Sequence, residues 1–127
     1  MEYSSEVVRR FDSPQRAGEL PHGAIGLVSG EAEDRTLNVW ARFQLQVIDG
    51  TIEAVRFRVF GCPHTVAAAS WIAERLEGRP ATAASRVDVE ALRAALDVPV
   101  EKFGKVLRVE DAVAACWRQL AHGGERT

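Results

Sequence analysis

Hydrophobic and polar positions change their spacing about half-way along this chain. From residue 39 to residue 47 they alternate: Val39, Ala41, Phe43, Leu45 and Val47 fall on one face, and Trp40, Arg42, Gln44 and Gln46 on the other. A period of two marks a half-buried strand. Asp49-Gly50 supplies a tight hairpin turn. The partner strand, residues 52–60, turns Val55, Phe57 and Val59 inward and Arg56 and Arg58 outward. A shorter apolar run at residues 24–28, with Gly26 inside it, predicts another strand ahead of these two. Beyond Gly61 the spacing becomes helical. Pro63, at a first helical position, opens a helix expected to end near Gly78, with Val66, Ala69, Ala73 and Leu76 as its apolar stripe.

Two further helices follow. Asp88 caps one that runs to about Leu96 and buries Val89, Leu92 and Leu96, before Pro99 breaks the chain. A last one, residues 105–121, carries Val109, Val113, Cys116, Trp117 and Leu120 at spacings of three and four. At the other end, Ser4 and Ser5 are candidate caps for a helix that places Val7 and Phe11 on one face and stops at Asp12-Ser13-Pro14. The order predicts an α+β fold, a three-stranded antiparallel sheet with helices packed on one face. A chain of 127 residues is the size of one domain, so residues 1–127 are expected to form one.

Composition narrows the function. Apolar residues at 46% and charged residues at 27% are those of a globular protein rather than a disordered one. A net charge of −2 disfavours a nucleic-acid partner, which calls for a basic excess. No apolar run reaches the roughly 18–20 residues of a spanning helix, so no membrane partner is expected. The start, Met1-Glu2-Tyr3-Ser4-Ser5-Glu6, lacks the positive end and apolar stretch of a signal peptide. A cytoplasmic location is the expectation. The two cysteines, Cys62 and Cys116, form no CxxC pair and suit a reducing compartment as free thiols.

Of the two, Cys62 is the candidate for chemistry. It lies between strand residues and Pro63, at the predicted cap of a helix, where unpaired amides favour a thiolate. His64, two residues on, could lend a proton, a charge or a metal ligand. The competing reading is a small buried thiol at a strand–helix joint. Cys116 sits in an apolar stripe and reads as core, as do Trp71 and Trp117 at helical spacing. His22 and His122 read as surface residues. Glu31, Glu33 and Asp34 cluster in what is expected to be a turn before the long strand. That turn is solvated, unless it folds over the helix start and brings Glu33 and Asp34 to Cys62 as oxygen ligands. Arg42, Arg56 and Arg58 share one sheet face, either solvated or used for docking. Residues 97–102 read as a connector or an extended recognition peptide. No Gly-rich phosphate loop, HExxH or serine elbow is present.

The order of elements, together with Tyr3-Ser4-Ser5-Glu6-Val7, Gly18-Glu19-Leu20, the run from Ile52 to Cys62 and Ala67-Ala68-Ala69-Ser70, resembles the U-type iron–sulfur cluster assembly scaffolds, the IscU family and the NifU N-terminal domain. Val98-Pro99 with Lys102 is similar to that family's chaperone-recognition segment. The resemblance implies a scaffold or carrier rather than an enzyme, with a cysteine desulfurase and an Hsp70-type chaperone as partners and a homo-oligomer as one state. It also implies an iron–sulfur cluster, iron or zinc as cargo, held by three cysteines with an aspartate or histidine. Here only the middle cysteine, Cys62, is kept. Counting without gaps, Leu37 takes the first cysteine's place and Val39 the aspartate's; matching Gly30 and Ala32 instead puts Glu33 at the first. Lys105 replaces the third and Gly104 the histidine before it. Three readings stay open: a scaffold that carries sulfur or cluster through Cys62, an interaction module that docks partners without metal, and a mononuclear metal or thiol enzyme using Cys62 and His64.

Overall fold

The structure is a computed structural model that describes the backbone of residues 3–125 and the side chains of residues 3–121. The predicted surface position of the His122 side chain lies outside the described residues. In chain order the elements are α1 (Ser5–Asp12), β1 (Leu27–Asp34), β2 (Val39–Ile48), β3 (Thr51–Phe60), α2 (Pro63–Leu76), α3 (Val89–Leu96) and α4 (Phe103–Glu125). Short 3-10 turns at Ala81–Ser85 and Val100–Lys102 join the last helices. The sheet is antiparallel in the order β1-β2-β3. Helix α4 packs on β1 and β2, α2 packs on β3, and α1 and α3 lie against α2. This is the α+β arrangement expected from the order of elements.

The long hairpin is where the alternation put it. Ala41, Phe43, Leu45, Val55 and Phe57 are buried against the helices. The register steps between Gln46 and Val47, where Glu53 has no partner. That bulge turns Ile52 and Val55, three residues apart, to the same buried face.

Strand β1 shares only residues 27 and 28 with the predicted 24–28. It runs Leu27–Asp34 and takes in Glu31, Glu33 and Asp34, which the sequence had suggested lie in a turn. The reason is its place at the sheet edge. Glu31 and Glu33 stay exposed on one side, Glu31 accepting from Trp40 Nε1 at 2.9 Å. Val28 and Ala32 pack on the core from the other. Gly30 between them lets α4 lie directly on the strand: a Cβ there would stand 2.5 Å from the Cys116 amide nitrogen and 2.7 Å from the Ala115 Cβ.

In α1 the Ser4 side chain accepts from the Val7 amide at 3.2 Å, and its hydroxyl donates to the Leu96 carbonyl at 3.0 Å, tying α1 to the end of α3. Val7 is buried as expected, but Phe11 is 45% exposed. The flank that meets α2 carries Arg10 instead, 8% exposed, its guanidinium donating to Glu6 at 2.6 Å, Ser70 at 3.1 Å and Glu74 at 2.5 Å. A charge can be buried there because each side of the guanidinium meets an oxygen.

Helix α2 is buried nearly all round, between the sheet and α1. Its Ala67-Ala68-Ala69-Ser70 run lets both neighbours approach closely, so the buried surface is wider than the predicted stripe, and Val66 is only half-buried.

Candidate functional site

Strand β3 hands over to α2 at Gly61-Cys62. Cys62 is the N-cap, with extended backbone at φ −81° and ψ 170°, and its side chain caps no amide. The residue is partly exposed. The amides of Thr65 and Val66 both donate to the Cys62 carbonyl, at 2.9 and 3.2 Å. Pro63 has no amide hydrogen. Within the first turn of α2, residues 63–65, His64 is then the one amide left free of the Cys62 carbonyl, so fewer free amides surround the thiol than expected. Thr65 also bends its hydroxyl back to the Cys62 carbonyl at 2.6 Å, closing the joint. A Cβ at residue 61 would collide with the Thr65 Oγ1 and touch Val39 Cγ2 at 3.4 Å, which explains Gly61. The spacing Cys-Pro-x-Thr, with a hydroxyl three residues after the cap, was the available signal for Thr65.

Residues 37–39, which hold the left-handed turn at Asn38 (φ 58°), connect this joint to the first turn of α4. A Cβ at Gly104 would stand 3.0 Å from Leu37 Cδ1, so Leu37 lies on α4 at Gly104. Val39 lies beside Gly61. The ungapped register thus describes the space: Leu37, Val39, Cys62 and Gly104 border one junction of three elements.

The predicted oxygen donors are engaged elsewhere. Asp34 accepts from the Leu37 amide at 3.0 Å and faces Arg108 at 3.8 Å, so it shapes the turn. Glu33 faces Arg35 at 3.7 Å on the exposed side of β1.

His64 is 1% exposed, with its ring 4.9 Å from that of Tyr3 and Nδ1 without a hydrogen-bond partner. Burial, reinforced by the Lys102 charge, holds its pKa below the ordinary imidazole value against the opposing pull of Glu101 and Asp97. Two residues apart around a helix start, His64 and Cys62 point to different sides. Among the described residues no three His, Cys, Asp or Glu side chains gather as a metal would need. Cys62, His64, Glu33 and Asp34 are not brought together, and the residues present do not fit a cluster held within one chain.

Cys116 is fully buried and its thiol donates to the Phe43 carbonyl at 3.3 Å, with burial pushing its pKa up to about 12. It belongs to the core, as does Trp71. His22 is exposed.

The arginine face is partly neutralised. Arg42 and Arg58, directly opposite each other, share Glu19 at 3.7 Å each, and Arg56 meets Glu77 at 3.6 Å. In the connector, Val98 is 9% exposed and packs into the core, whereas Val100 is 74% exposed. What the segment exposes is Asp97, Val100 and Glu101, with Pro99 and Lys102 half-buried.

Residues 2–121 match the family described as NifU-like N terminal domain. The chain belongs to that family. Among curated relatives it is 28% identical over 127 residues to the iron-sulfur cluster assembly scaffold protein IscU of Azotobacter vinelandii, covering 96% of each chain. It is 26% identical over 116 residues to that of Escherichia coli K12, covering 91% of each. It is 29% identical over 115 residues to the mitochondrial iron sulfur cluster assembly protein 1 of Schizosaccharomyces pombe, of which it spans 58%. The crystal structure of a NifU-like N-terminal protein from Brucella abortus has the same fold, at a TM-score of 0.73 and 17% identity over 94% of each chain. Among the described residues, no helix is long and apolar enough to cross a membrane.

Proposed function

We propose that this member of the family serves iron–sulfur cluster assembly as a scaffold-type carrier, not as an enzyme, and that it handles sulfur or cluster through the single thiol of Cys62. The observation that carries this reading is the placing of a partly exposed cysteine where three elements meet, in a chain that matches the scaffold family over nearly its whole length. In sulfur transfer, the Cys62 thiolate attacks the terminal sulfur of a persulfide on a cysteine desulfurase. The new S–S bond forms on Cys62, the old one breaks, and the desulfurase cysteine leaves as a thiolate with the electron pair. No oxidant is consumed. Cluster cargo would need more ligands than this chain offers, because such clusters are held by about four thiolates. Those would come from a partner or from Cys62 of a second copy. Exposed Val100, flanked by half-buried Pro99 and Lys102 and by exposed Glu101, is what the segment offers an Hsp70-type chaperone. Free thiols suit a reducing, cytoplasmic setting.

Anaerobic reconstitution with a cysteine desulfurase, iron and cysteine tests this. Wild type is expected to acquire bound sulfur, and Cys62→Ala is not. Equal sulfur and iron in both proteins would remove the proposal. A specific observation favours a second reading, an interaction module that carries no metal: apolar Leu37 fills the position beside Gly104 where a ligand would be needed. Under that reading Cys62→Ala binds the desulfurase as wild type does and neither protein gains sulfur.

A further inference from the structure

On the far half of α2, about 14–21 Å along the helix from Cys62 at 1.5 Å per residue, a cavity of about 170 Å³ opens to the surface between α2 and the chain leading into α3. Its floor is apolar, made by Trp71, Ile72 and Val87, and its rim carries Arg75, Arg79 and Arg86. Among the described residues no carboxylate lies within ion-pair distance, 4.0 Å, of these three guanidiniums, in contrast to Arg10, Arg16, Arg42, Arg56 and Arg58. The one acid at the rim, Asp88, is occupied in capping α3, accepting from the Ala91 amide at 3.0 Å. Arg75 is held in place over the Trp71 ring at 4.4 Å.

We propose that this cavity docks an acidic segment of a partner protein, with one apolar side chain inserted on the floor and flanking carboxylates paired to the arginines. Size decides between a metabolite and a protein. Sites that enclose small organic ligands run to roughly 300–1,000 Å³, and this cavity is well below that. It matches a single anchoring side chain. Arginine and tryptophan are the residues that dominate such anchor points, and guanidiniums pair carboxylates in two-point geometry. Three arginines unpaired around an apolar floor complement an acid–apolar–acid sequence. Because the cavity is remote from the thiol, a partner seated there leaves Cys62 open, so both can be engaged at once. The surface is separate from the Arg42/Arg56/Arg58 face and from the Val98 to Lys102 segment.

The probe is a labelled peptide of sequence Asp-Glu-Leu-Asp-Glu, blocked at both ends, titrated into the full chain. Fluorescence anisotropy reads the affinity, and NMR shifts of the Trp71 indole and the arginine side chains read the location. Arg75 and Arg86 are exposed, so Arg75→Gln/Arg86→Gln keeps the fold, which circular dichroism checks. Wild type is expected to bind with shifts centred on Trp71. The double variant, and a peptide with Ala for Leu, should each bind at least tenfold more weakly, about 1.4 kcal/mol. Cys62→Ala should bind as wild type does, which separates this surface from the Cys62 chemistry. The proposal is overturned if the double variant binds equally, if the shifts map to Arg42, Arg56 and Arg58, or if inorganic phosphate at equal concentration displaces the peptide completely.

Discussion

Gly30→Ala is the sharpest test of how α4 is seated, and α4 begins against Leu37, two residues from the Val39 that lies beside Gly61. The added methyl would meet the Ala112 carbonyl oxygen, stand 2.5 Å from the Cys116 amide nitrogen and 2.7 Å from the Ala115 Cβ. Ordinary contact begins near 3.4 Å, so helix and strand must part by about 1 Å. Two of the three obstacles are helix backbone and cannot rotate away. Beneath them lie Val109, Ala112, Val113 and Cys116, all fully buried, whose packing loosens as α4 lifts. Overpacking usually costs about 1–3 kcal/mol, and obstruction by helix backbone places this case at about 3 kcal/mol. For a chain of this size that lowers the melting temperature by roughly 10 °C. Urea unfolding followed by circular dichroism measures it, with Gly104→Ala as the comparison. There the single obstacle is Leu37 Cδ1 at 3.0 Å, a side-chain end that can move, and a loss under about 1 kcal/mol is expected. If Gly30→Ala unfolds within 0.5 kcal/mol of wild type, roughly the range of a neutral surface change, the close seating of α4 on β1 is wrong.

Iodoacetamide at pH 8 should label Cys62 in the folded protein and spare Cys116, whose thiol, at about 12, is ionised in only about one molecule in ten thousand at that pH; mass spectrometry showing equal labelling would refute this. The unfolded Cys116 thiol ionises near 9 and the folded one does not until about 12, so stability should fall as pH rises through that window, and Cys116→Ala should flatten the fall in alkaline urea melts. Glu74→Gln should cost about 2 kcal/mol, because it removes a carboxylate from the buried Arg10 while leaving the guanidinium in place; a loss below 0.5 kcal/mol in the same melts would show the pair to be idle. His64 has a depressed pKa, so its unfolded form takes up a proton that the folded form refuses. Stability should hold above about 6.5 and fall as pH drops below it, and His64→Leu should remove that dependence.

How much could be read from the chain follows from what each signal depends on. The β2–β3 hairpin was legible because alternation and Asp49-Gly50 are local. The caps at Ser4 and Asp88 and the start at Pro63 were legible for the same reason. Strand β1 was misplaced because its inward residues are small, Gly30 and Ala32, and its outward ones acidic, so it lacks the large apolar side chains by which strands are recognised. Phe11 was expected to share the inner face with Val7, but it is Arg10 that is buried. This is so because Glu74 and Ser70, sixty or more positions away, supply the oxygens Arg10 needs. Around Cys62, the cap position was readable, but the amides it was expected to gather are spent on its own carbonyl.

The sequence by itself determined the hairpin, the order of the four helices, the family and the single candidate thiol, since each is written in neighbouring residues or in a motif. Only the tertiary structure decided that Leu37 lies on Gly104 and Val39 beside Gly61, that His64 turns inward beside Tyr3, and that three arginines with no carboxylate partner among the described residues ring a cavity on α2. Those facts depend on which distant surfaces meet, and contacts between segments far apart in the chain leave no period in the residues that make them.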